Sequence, residues 1–325
     1  MATYLVTGAA GFIANQVCSL LLADGHEVVG LDNLNDAYDV RLKHYRLDKL
    51  KAQPNFQFYP MDVCDRDGLE KVFSRHKGLG GVINLAARAG VRASVENPWI
   101  FVDTNMTGTL NLLEACKQHG VPKFVLASTS SIYGADAPLP TPEDADSSQP
   151  LQPYAASKKG AEAMCHAYHF LHGIDVTIFR YFTVYGPAGR PDMVMFRFAQ
   201  WISEGRPVRL NGDGEQSRGF TYLDDIARGT ILGLKPLGFE VINLGGHESI
   251  TINQMIETLE ELIGKKANVE HYPPQKADMS ANLADIGKAR RLLGWEPQVS
   301  LLEGMRNLVD WYRQERAWAS QVRTE

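Results

Sequence analysis

The 325-residue chain is 44% hydrophobic and 22% charged, ordinary proportions for a globular protein long enough for one large or two modest domains. A formal charge of −5 and a pI near 6.0 argue against a general nucleic-acid or anionic-membrane surface, while leaving room for a local positive pocket that takes a phosphorylated ligand. No N-terminal basic-plus-apolar signal and no apolar run of roughly 20 residues is visible, and four scattered cysteines (Cys18, Cys64, Cys116, Cys165) lack metal-ligand spacing, so a reduced, cytoplasmic protein without metal is expected.

Residues 3–7 read as a short buried strand running into Gly8-Ala-Ala-Gly11-Phe-Ile-Ala14. An amphipathic helix follows through Val17, Leu20, Leu21 and Leu22, ending near Gly25, and residues 27–31 form a second strand that stops at Asp32. Strand, glycine turn, helix, strand and acid is the order a dinucleotide site needs. Gly8 permits the tight turn, Gly11 lets backbone approach a pyrophosphate, and the helix N-terminus supplies N–H donors. Ala14 stands where a third glycine is usual, a tighter but tolerable contact. Asp32, 21 residues after Gly11, is placed to accept from ribose hydroxyls and to repel a 2′-phosphate, which favours NAD over NADP.

Strand and helix signals then alternate. Phe56–Pro60 is a strand leading to Asp62 and Val63, expected at an adenine edge. Residues 82–87 form an apolar strand ending in Leu85, Ala86 and Ala87, small enough for a cofactor to lie across. Asn97-Pro98 opens a helix expected to run to about His119, carrying Asn105. Residues 123–127 are the next strand, ending at Ser128-Thr129-Ser130-Ser131, and 135–153 is a surface loop rich in Pro, Asp and Ser. Residues 174–181 form another strand. Such alternation predicts an α/β protein with a doubly wound parallel sheet and ligands at the carboxyl ends of its strands. Beyond residue 182 the rhythm is irregular. Helices are expected near 193–204, 223–234, 251–263 and 300–315, with short strands near 207–210, 240–244 and 268–272, as a smaller α/β lobe. The expected division is 1–181 and 182–325, with segments free to interleave.

Tyr154-Ala-Ala-Ser-Lys158 opens the helix after the loop. A tyrosine and a lysine four apart share one helix face, where the ammonium can lower a phenol pKa that is otherwise about 10. The pair can therefore transfer protons. The same spacing recurs at Tyr45/Lys49, in a charged and expectedly exposed stretch, and at Tyr272/Lys276, which runs into Pro273-Pro274 and cannot be a regular helix. Only the 154 copy follows a dinucleotide-binding N-terminus and a hydroxyl-rich strand end.

GAAGFIA at 8–14, LDNLN at 31–35, NLAARAGVRAS at 84–94, STSSIYG at 128–134, YAASK at 154–158, RYFTVYGP at 180–187, RGFTYLDD at 218–225 and ARRLLGWEP at 289–297 resemble the extended short-chain dehydrogenase/reductase family of nucleotide-sugar-modifying enzymes over essentially the whole chain. STSS, FTVYGPAGRPD at 182–192 and LDNLNDAYD at 31–39 look most like the branch that inverts C4 of UDP-glucuronate. The resemblance implies a Rossmann sheet holding NAD through Gly8, Gly11, Phe12, Ile13, Asp32, Asn33, Asp62, Val63, Leu85, Ala86, Ala87, Asn105, Tyr154, Lys158 and Tyr181. It implies that Tyr154 removes the sugar's 4-OH proton while NAD takes up the C4 hydride. Lys158 would hold the nicotinamide ribose and lower the tyrosine pKa, and Thr129 would hydrogen-bond the reacting oxygen. The 4-keto sugar then turns about its link to the diphosphate and receives the hydride on its other face.

Oxidising C4 of a glucuronate makes a β-keto acid, which loses CO2 when the carboxylate bond aligns with the ketone π system. Thr129, Ser130 and Ser131 are short donors suited to holding the carboxylate out of that alignment; the competing reading is a polar strand end bonded to local backbone. Thr183, where many relatives have asparagine, would line the same region, and Arg190 would reach the sugar or diphosphate. Related dehydratases carry an Asp-Glu pair after the threonine, and related decarboxylases a glutamate nearby. This chain has Ser130-Ser131 and no carboxylate until Asp136, which counts against both reactions. Arg218 resembles a diphosphate-binding arginine, with Gly219 in place of the usual aspartate. Arg92, Ser94 and Asp278 are further substrate candidates, with solvated surface positions as the alternative. Phe196 and Leu210 are candidates to flank a uracil, with core packing the expected role of each. The helices at 98–119 and 154–172 resemble a pair that relatives use in a dimer interface, so a homodimer is expected. The predicted function is C4 epimerisation of UDP-glucuronate to UDP-galacturonate. The alternatives are a UDP-glucose or UDP-N-acetylglucosamine 4-epimerase, or a non-catalytic NAD-binding sensor.

Overall fold

The computed structural model describes residues 1–246, 248–273 and 282–324. The first half runs β1 (Thr3–Thr7), α1 (Phe12–Ala23), β2 (Glu27–Asp32), α2 (Val40–Lys51), β3 (Phe56–Pro60), α3 (Arg66–Arg75) and β4 (Gly81–Asn84). Then come α4 (Val91–Glu96), α5 (Pro98–Val102), α6 (Gly108–His119), β5 (Lys123–Thr129), α7 (Pro153–His172) and β6 (Asp175–Tyr181). The second half contains β7 (Thr183–Tyr185), α8 (Val194–Glu204), β8 (Val208–Asn211), β9 (Ser217–Tyr222), α9 (Leu223–Leu232) and β10 (Phe239–Leu244). It ends with β11 (Glu248–Thr251), α10 (Ile252–Ile263), β12 (Val269–Tyr272), α11 (Gly287–Leu293) and α12 (Leu301–Ala319).

Seven parallel strands form one sheet in the order β10-β6-β5-β4-β1-β2-β3. Alternate residues point to opposite faces. Leu5, Val29, Leu31 and Val82 enter one fully buried cluster, and Val6, Val28, Ile83 and Val125 enter the other. Each such side chain contributes roughly 1.5–3 kcal/mol of burial. Strand order reverses between β1 and β4, which opens the crevice where an α/β sheet binds its ligand.

The smaller lobe has its own core. Phe196, Trp201, Met255, Trp311 and Tyr312 pack together beside two small sheets, β11-β9-β7 and β12-β8. Phe196 and Leu210 are buried there, as expected. One expectation is corrected: the strand near 240–244 is not part of this lobe. It pairs in parallel with β6, Phe239 against Val176 through Leu244 against Tyr181, and becomes the seventh strand of the large sheet. Buried Ile242 and Leu244 are what the sheet edge covers. The division 1–181 and 182–325 is therefore a proposal in which this strand is interleaved.

Two further differences lie near the site. The helix expected over 98–119 is broken into α5 and α6 by a π-helical turn, Asp103–Thr107. The stretch around Tyr45 is exposed on one side only, at His44, Asp48 and Lys49; it is α2, whose inner face carries Leu42, Lys43, Arg46, Leu47 and Leu50. Two cations on that buried face disguise its amphipathic pattern. Tyr272 ends strand β12, so no helical pair begins there.

Candidate active site

The glycine turn closes as predicted. Gly8 has φ +72°, and a Cβ there would sit 3.0 Å from the backbone of Leu85 and Ala86 across the crevice. Gly11 donates to the Gly8 carbonyl at 2.6 Å, and a Cβ on Gly11 would lie 2.7 Å from that oxygen. Only glycine leaves this floor open, and Phe12 and Ile13 begin α1 immediately above it. The Phe12 ring packs toward Gly186, 3.6 Å from where a Cβ there would be. The Thr7 hydroxyl receives Leu85 N and Ala86 N at 3.1 and 3.0 Å and donates to Asn84. That bond holds the two strand ends together. Ala87 follows, half-buried, on the same rim.

Asp32 ends β2 nearly buried, accepting from Ala10 N at 3.1 Å and Leu34 N at 2.8 Å. Lys43 Nζ lies 3.7 Å from its Oδ1, a cation that sequence reading did not find. Asn33 donates to Asp62 at 2.6 Å, and Asp62 also accepts from Cys64 N, so the ends of β2 and β3 form one polar rim. These bonds hold the Asp62 carboxyl below its usual range, although burial works in the opposite direction. Val63 packs on Gly108, with its carbonyl accepting from Asn111. A tight glycine turn, a helix N-terminus and an acid at the end of β2 fit the adenosine diphosphate half of NAD.

Tyr154 occupies the first turn of α7, one residue after Pro153, where the helix dipole favours an anion. Its ring meets Phe101 edge-on at 6.2 Å. Burial raises the phenol pKa above its ordinary value; a hydrogen bond with Thr129 and the positive charge of Arg190 oppose that rise. Lys158 is buried, donates to the Ala127 carbonyl at 2.9 Å, and is pushed down to about 8 by desolvation. The expected action of Lys158 on the tyrosine stays a proposal; Arg190 adds a positive charge that acts on the phenol. Burial works against the Arg190 charge, and Asp192, Tyr38 and Tyr154 hold it in place.

Thr129 ends β5, and its hydroxyl caps the following turn by donating to Ser131 Oγ and accepting from Ser131 N, both at 3.2 Å. Ser130 accepts from Asn282 Nδ2 at 3.4 Å. Thr183, Arg190, Gly189, Tyr185, Phe196 and Phe220 line a cleft on the side of the smaller lobe. Arg190 grips Asp192 at 2.6 Å and reaches the Ala89 carbonyl at 3.4 Å. The structure thereby gathers Thr129, Ser130, Ser131, Tyr154, Lys158 and Arg190 beside the crevice.

Other candidates are placed differently. Asn105 sits in the π turn, fully buried, with its amide engaged by Arg88 backbone and the Ser157 hydroxyl. Its position supports the α7 helix. Tyr181 is buried, with its hydroxyl on Thr230, and burial pushes its pKa up. Ser94 is buried and donates to Val91 O at 2.6 Å, whereas Arg92 is exposed on α4. Arg218 is half-buried on β9 and donates to the Ser217 carbonyl. The glycine after it has a steric cause: a Cβ on Gly219 would lie 2.5 Å from Gly246 O and 2.9 Å from Asn282 O. Asp278 lies outside the described residues.

Arg46 is the residue sequence reading most plainly missed. From the buried face of α2 it donates to Ala10 O (3.1 Å), Ala188 O (2.6 Å), Gly189 O (3.2 Å) and the Tyr38 hydroxyl (2.7 Å). One guanidinium thus joins the glycine turn to the loop carrying Arg190. Ala188 has φ +51°, a strained conformation for a non-glycine residue, and its carbonyl takes a second bond from Arg46, from Nε at 3.0 Å.

A parallel sheet with a glycine-turn crevice and a Tyr-Lys helix at its carboxyl edge defines a dinucleotide-dependent protein of Rossmann type. Residues 4–245 match the model of the NAD dependent epimerase/dehydratase family, and the chain belongs to that family. It is 57% identical over 315 residues to a UDP-glucuronate 4-epimerase of Thermodesulfobacterium geofontis, covering 97% of each chain. It is also similar to the UDP-glucuronic acid 4-epimerase of Bacillus cereus, solved in complex with UDP-glucuronic acid and NAD. That match has 38% identity and TM-score 0.90, over 96% of this chain and 99% of that one. A UDP-glucose 4-epimerase of Thermotoga maritima, solved with UDP-glucose, matches at 34% identity and TM-score 0.90, over 97% of this chain and 99% of that one.

Proposed function

We infer that the chain is an NAD-dependent enzyme that interconverts UDP-glucuronate and UDP-galacturonate by inversion at C4. The observation that carries this reading is the grouping of Thr129, Tyr154 and Arg190 beside Ser130 and Ser131, in a sequence with no carboxylate from Thr129 until Asp136. The identity to a UDP-glucuronate 4-epimerase supports the acid substrate over a neutral sugar. Intact Tyr154, Lys158 and Thr129 speak against a mere sensor.

Bound NAD supplies a reversible hydride acceptor. Tyr154 takes the 4-OH proton and returns it, and Thr129 orients the oxygen that loses it. Lys158 and Arg190 provide the positive surroundings that favour phenolate once the sugar excludes water. Ser130 and Ser131 hold the carboxylate, and Thr183 and Arg190 line the cleft beside them. Gly8, Gly11, Asp32, Asn33 and Asp62 hold the cofactor, and Arg218, Arg92 and Asp278 are assigned to the diphosphate and nucleoside end.

We place the protein in the cytoplasm; no helix among the described residues is long and apolar enough to cross a membrane. We also propose a homodimer through the helices at 98–119 and 154–172, of which α5 and α7 pack on each other and carry exposed Trp99 (77%) and Phe170 (79%). The test is a direct comparison of UDP-glucuronate with UDP-glucose as substrates of the NAD-loaded protein. A catalytic efficiency at least tenfold higher for the acid is expected, about 1.4 kcal/mol, and a preference for the neutral sugar rejects the reading.

A further inference from the structure

Beneath the proton-transfer pair lies a buried ion pair that the reaction as described does not use. Glu162 is one helical turn beyond Lys158 on α7, and both are buried. Its Oε1 accepts from Ser128 Oγ at 2.5 Å and from Arg180 Nε at 3.0 Å, while Oε2 accepts from Arg180 Nη2 at 2.9 Å. Ser128 and Arg180 face each other in register on β5 and β6. Arg180 continues to the Tyr133 hydroxyl at 3.0 Å, which donates to Asn243 on β10. One carboxylate therefore joins the helix to two central strands one residue before Thr129 and Tyr181.

The pairing has a register. Ala127 and Ser128 are successive residues of β5. Ala127 O takes the Lys158 ammonium at 2.9 Å, and Ser128 Oγ holds Glu162 at 2.5 Å. Two helix residues one turn apart are thus pinned to two adjacent strand residues, and Thr129 comes next, against Tyr154. A buried ion pair is poor evidence of stability, since apolar residues of similar volume often serve as well. Its location asks for another role.

We propose that Glu162, held by Arg180 and Ser128, is a positioning residue for the epimerase reaction: it sets the register of the Tyr154–Lys158 helix against Thr129 and keeps the Lys158 ammonium charged. The proposal rests on the epimerase reading above. Glu162 has the sign and place for it. Desolvation drives Lys158 down to about 8, and the Glu162 carboxylate is a negative charge that opposes this. Burial also works against the Arg180 charge, and Glu162 more than offsets it. Glu162 also has Lys159 on α7 with its Nζ 3.6 Å from Oε2, an ion pair on the outer side that both test variants remove. On the helix of Lys158 stand Tyr154 and Cys165; α6 brings Cys116 against Cys165, and burial keeps both thiols protonated. From β5 come the Ala127 carbonyl and Thr129, from β6 Arg180, and from the 188–190 loop Arg190, whose charge acts on Tyr154.

The test is the pH dependence of kcat for UDP-glucuronate with NAD-loaded Glu162→Gln, which keeps the shape and removes the charge. The limb that reports loss of the Lys158 proton is expected to move down by about half a pH unit or more. Glu162→Asp, which keeps the charge at a shorter reach, is expected to lower kcat with the limb in place. Because Glu162→Gln leaves Arg180 unpaired and can fail to fold, Glu162→Met/Arg180→Met is the second variant; it is expected to show a smaller shift in the same direction. A folded Glu162→Gln protein with the wild-type limb overturns the proposal, as does an unshifted limb in the double variant. If the wild-type protein does not turn over UDP-glucuronate, the epimerase reading fails instead. The Lys158 titration is then read by NMR of lysine labelled at Cε, its signal assigned by loss in Lys158→Met. An unchanged midpoint in Glu162→Gln, or in the double variant where the single does not fold, again overturns the proposal.

Discussion

The chain contains two helical tyrosine–lysine pairs of identical spacing, and they behave in opposite ways. At Tyr45/Lys49 the two groups bond directly: Lys49 donates to the phenol at 2.7 Å and lies 4.1 Å above its ring. The phenol also donates to Glu315 and accepts from Trp311, with Trp311 and Trp318 against the ring. The phenol's donor and both its acceptor sites are filled, so Tyr45 locks α2 to α12. At Tyr154/Lys158 each group is desolvated and held by a different partner, the phenol by Thr129 and the ammonium by the Ala127 carbonyl. Satisfied bonds make a structural pin, whereas two destabilised charge states beside an open crevice make groups ready to exchange a proton. Spacing brings a pair together; its surroundings decide what it does.

Substitution at the two tyrosines separates the regions most widely. Tyr154→Phe is expected to lower kcat for UDP-glucuronate by about a thousandfold, with NAD still bound; turnover near the wild-type rate would erase the distinction. Lys158→Met comes next, with kcat down by about a hundredfold and an effect on stability of unusual sign. A lysine free in the unfolded chain keeps its proton to about pH 10.4, whereas burial lowers the folded value to about 8. The ammonium therefore penalises the fold below pH 8, and the penalty is relieved as pH rises from there toward the unfolded value. Urea titration should find the inactive Lys158→Met protein more stable at pH 7, by on the order of 2–3 kcal/mol. The gain should vanish near pH 10. Lys49→Met, at an exposed position, should stay within about 0.5 kcal/mol at every pH.

Smaller effects sharpen the contrast. Ser130→Ala/Ser131→Ala is expected to reduce kcat/KM for UDP-glucuronate about tenfold more than for UDP-glucose, the value of one charge-assisted bond. Equal losses would place the carboxylate elsewhere. Tyr45→Phe should cost about 1 kcal/mol in a urea melt and leave kcat within about twofold.

Much of this geometry could be read from residues alone, because it depends on local rules. The glycine turn needs a positive φ at Gly8 and open space at Gly11, and both conditions are written in residue type. Thr129, Tyr154 and Lys158 are marked by the end of one strand and the start of the next helix. What escaped reading depends on contacts distant in sequence. Strand β10 is apolar wherever it docks, so nothing in residues 239–244 says which sheet it joins. Arg46 looks like a surface charge until the 188–189 loop arrives 142 residues later to receive it. Arg190, an expected sugar contact, also places its charge on Tyr154, and Lys158 donates to the Ala127 carbonyl, contacts that residue type alone does not reveal. The aspartate missing after Arg218 has its cause in the approach of Gly246 and Asn282, which no local pattern records.

The most direct test follows the hydrogen at C4. NAD-loaded protein given UDP-glucuronate bearing deuterium at C4 should yield UDP-galacturonate with the deuterium still at C4, with no CO2 released and no label lost to water. Product that has exchanged its label with solvent, or a decarboxylated pentose in its place, would contradict a hydride removed and returned at that carbon.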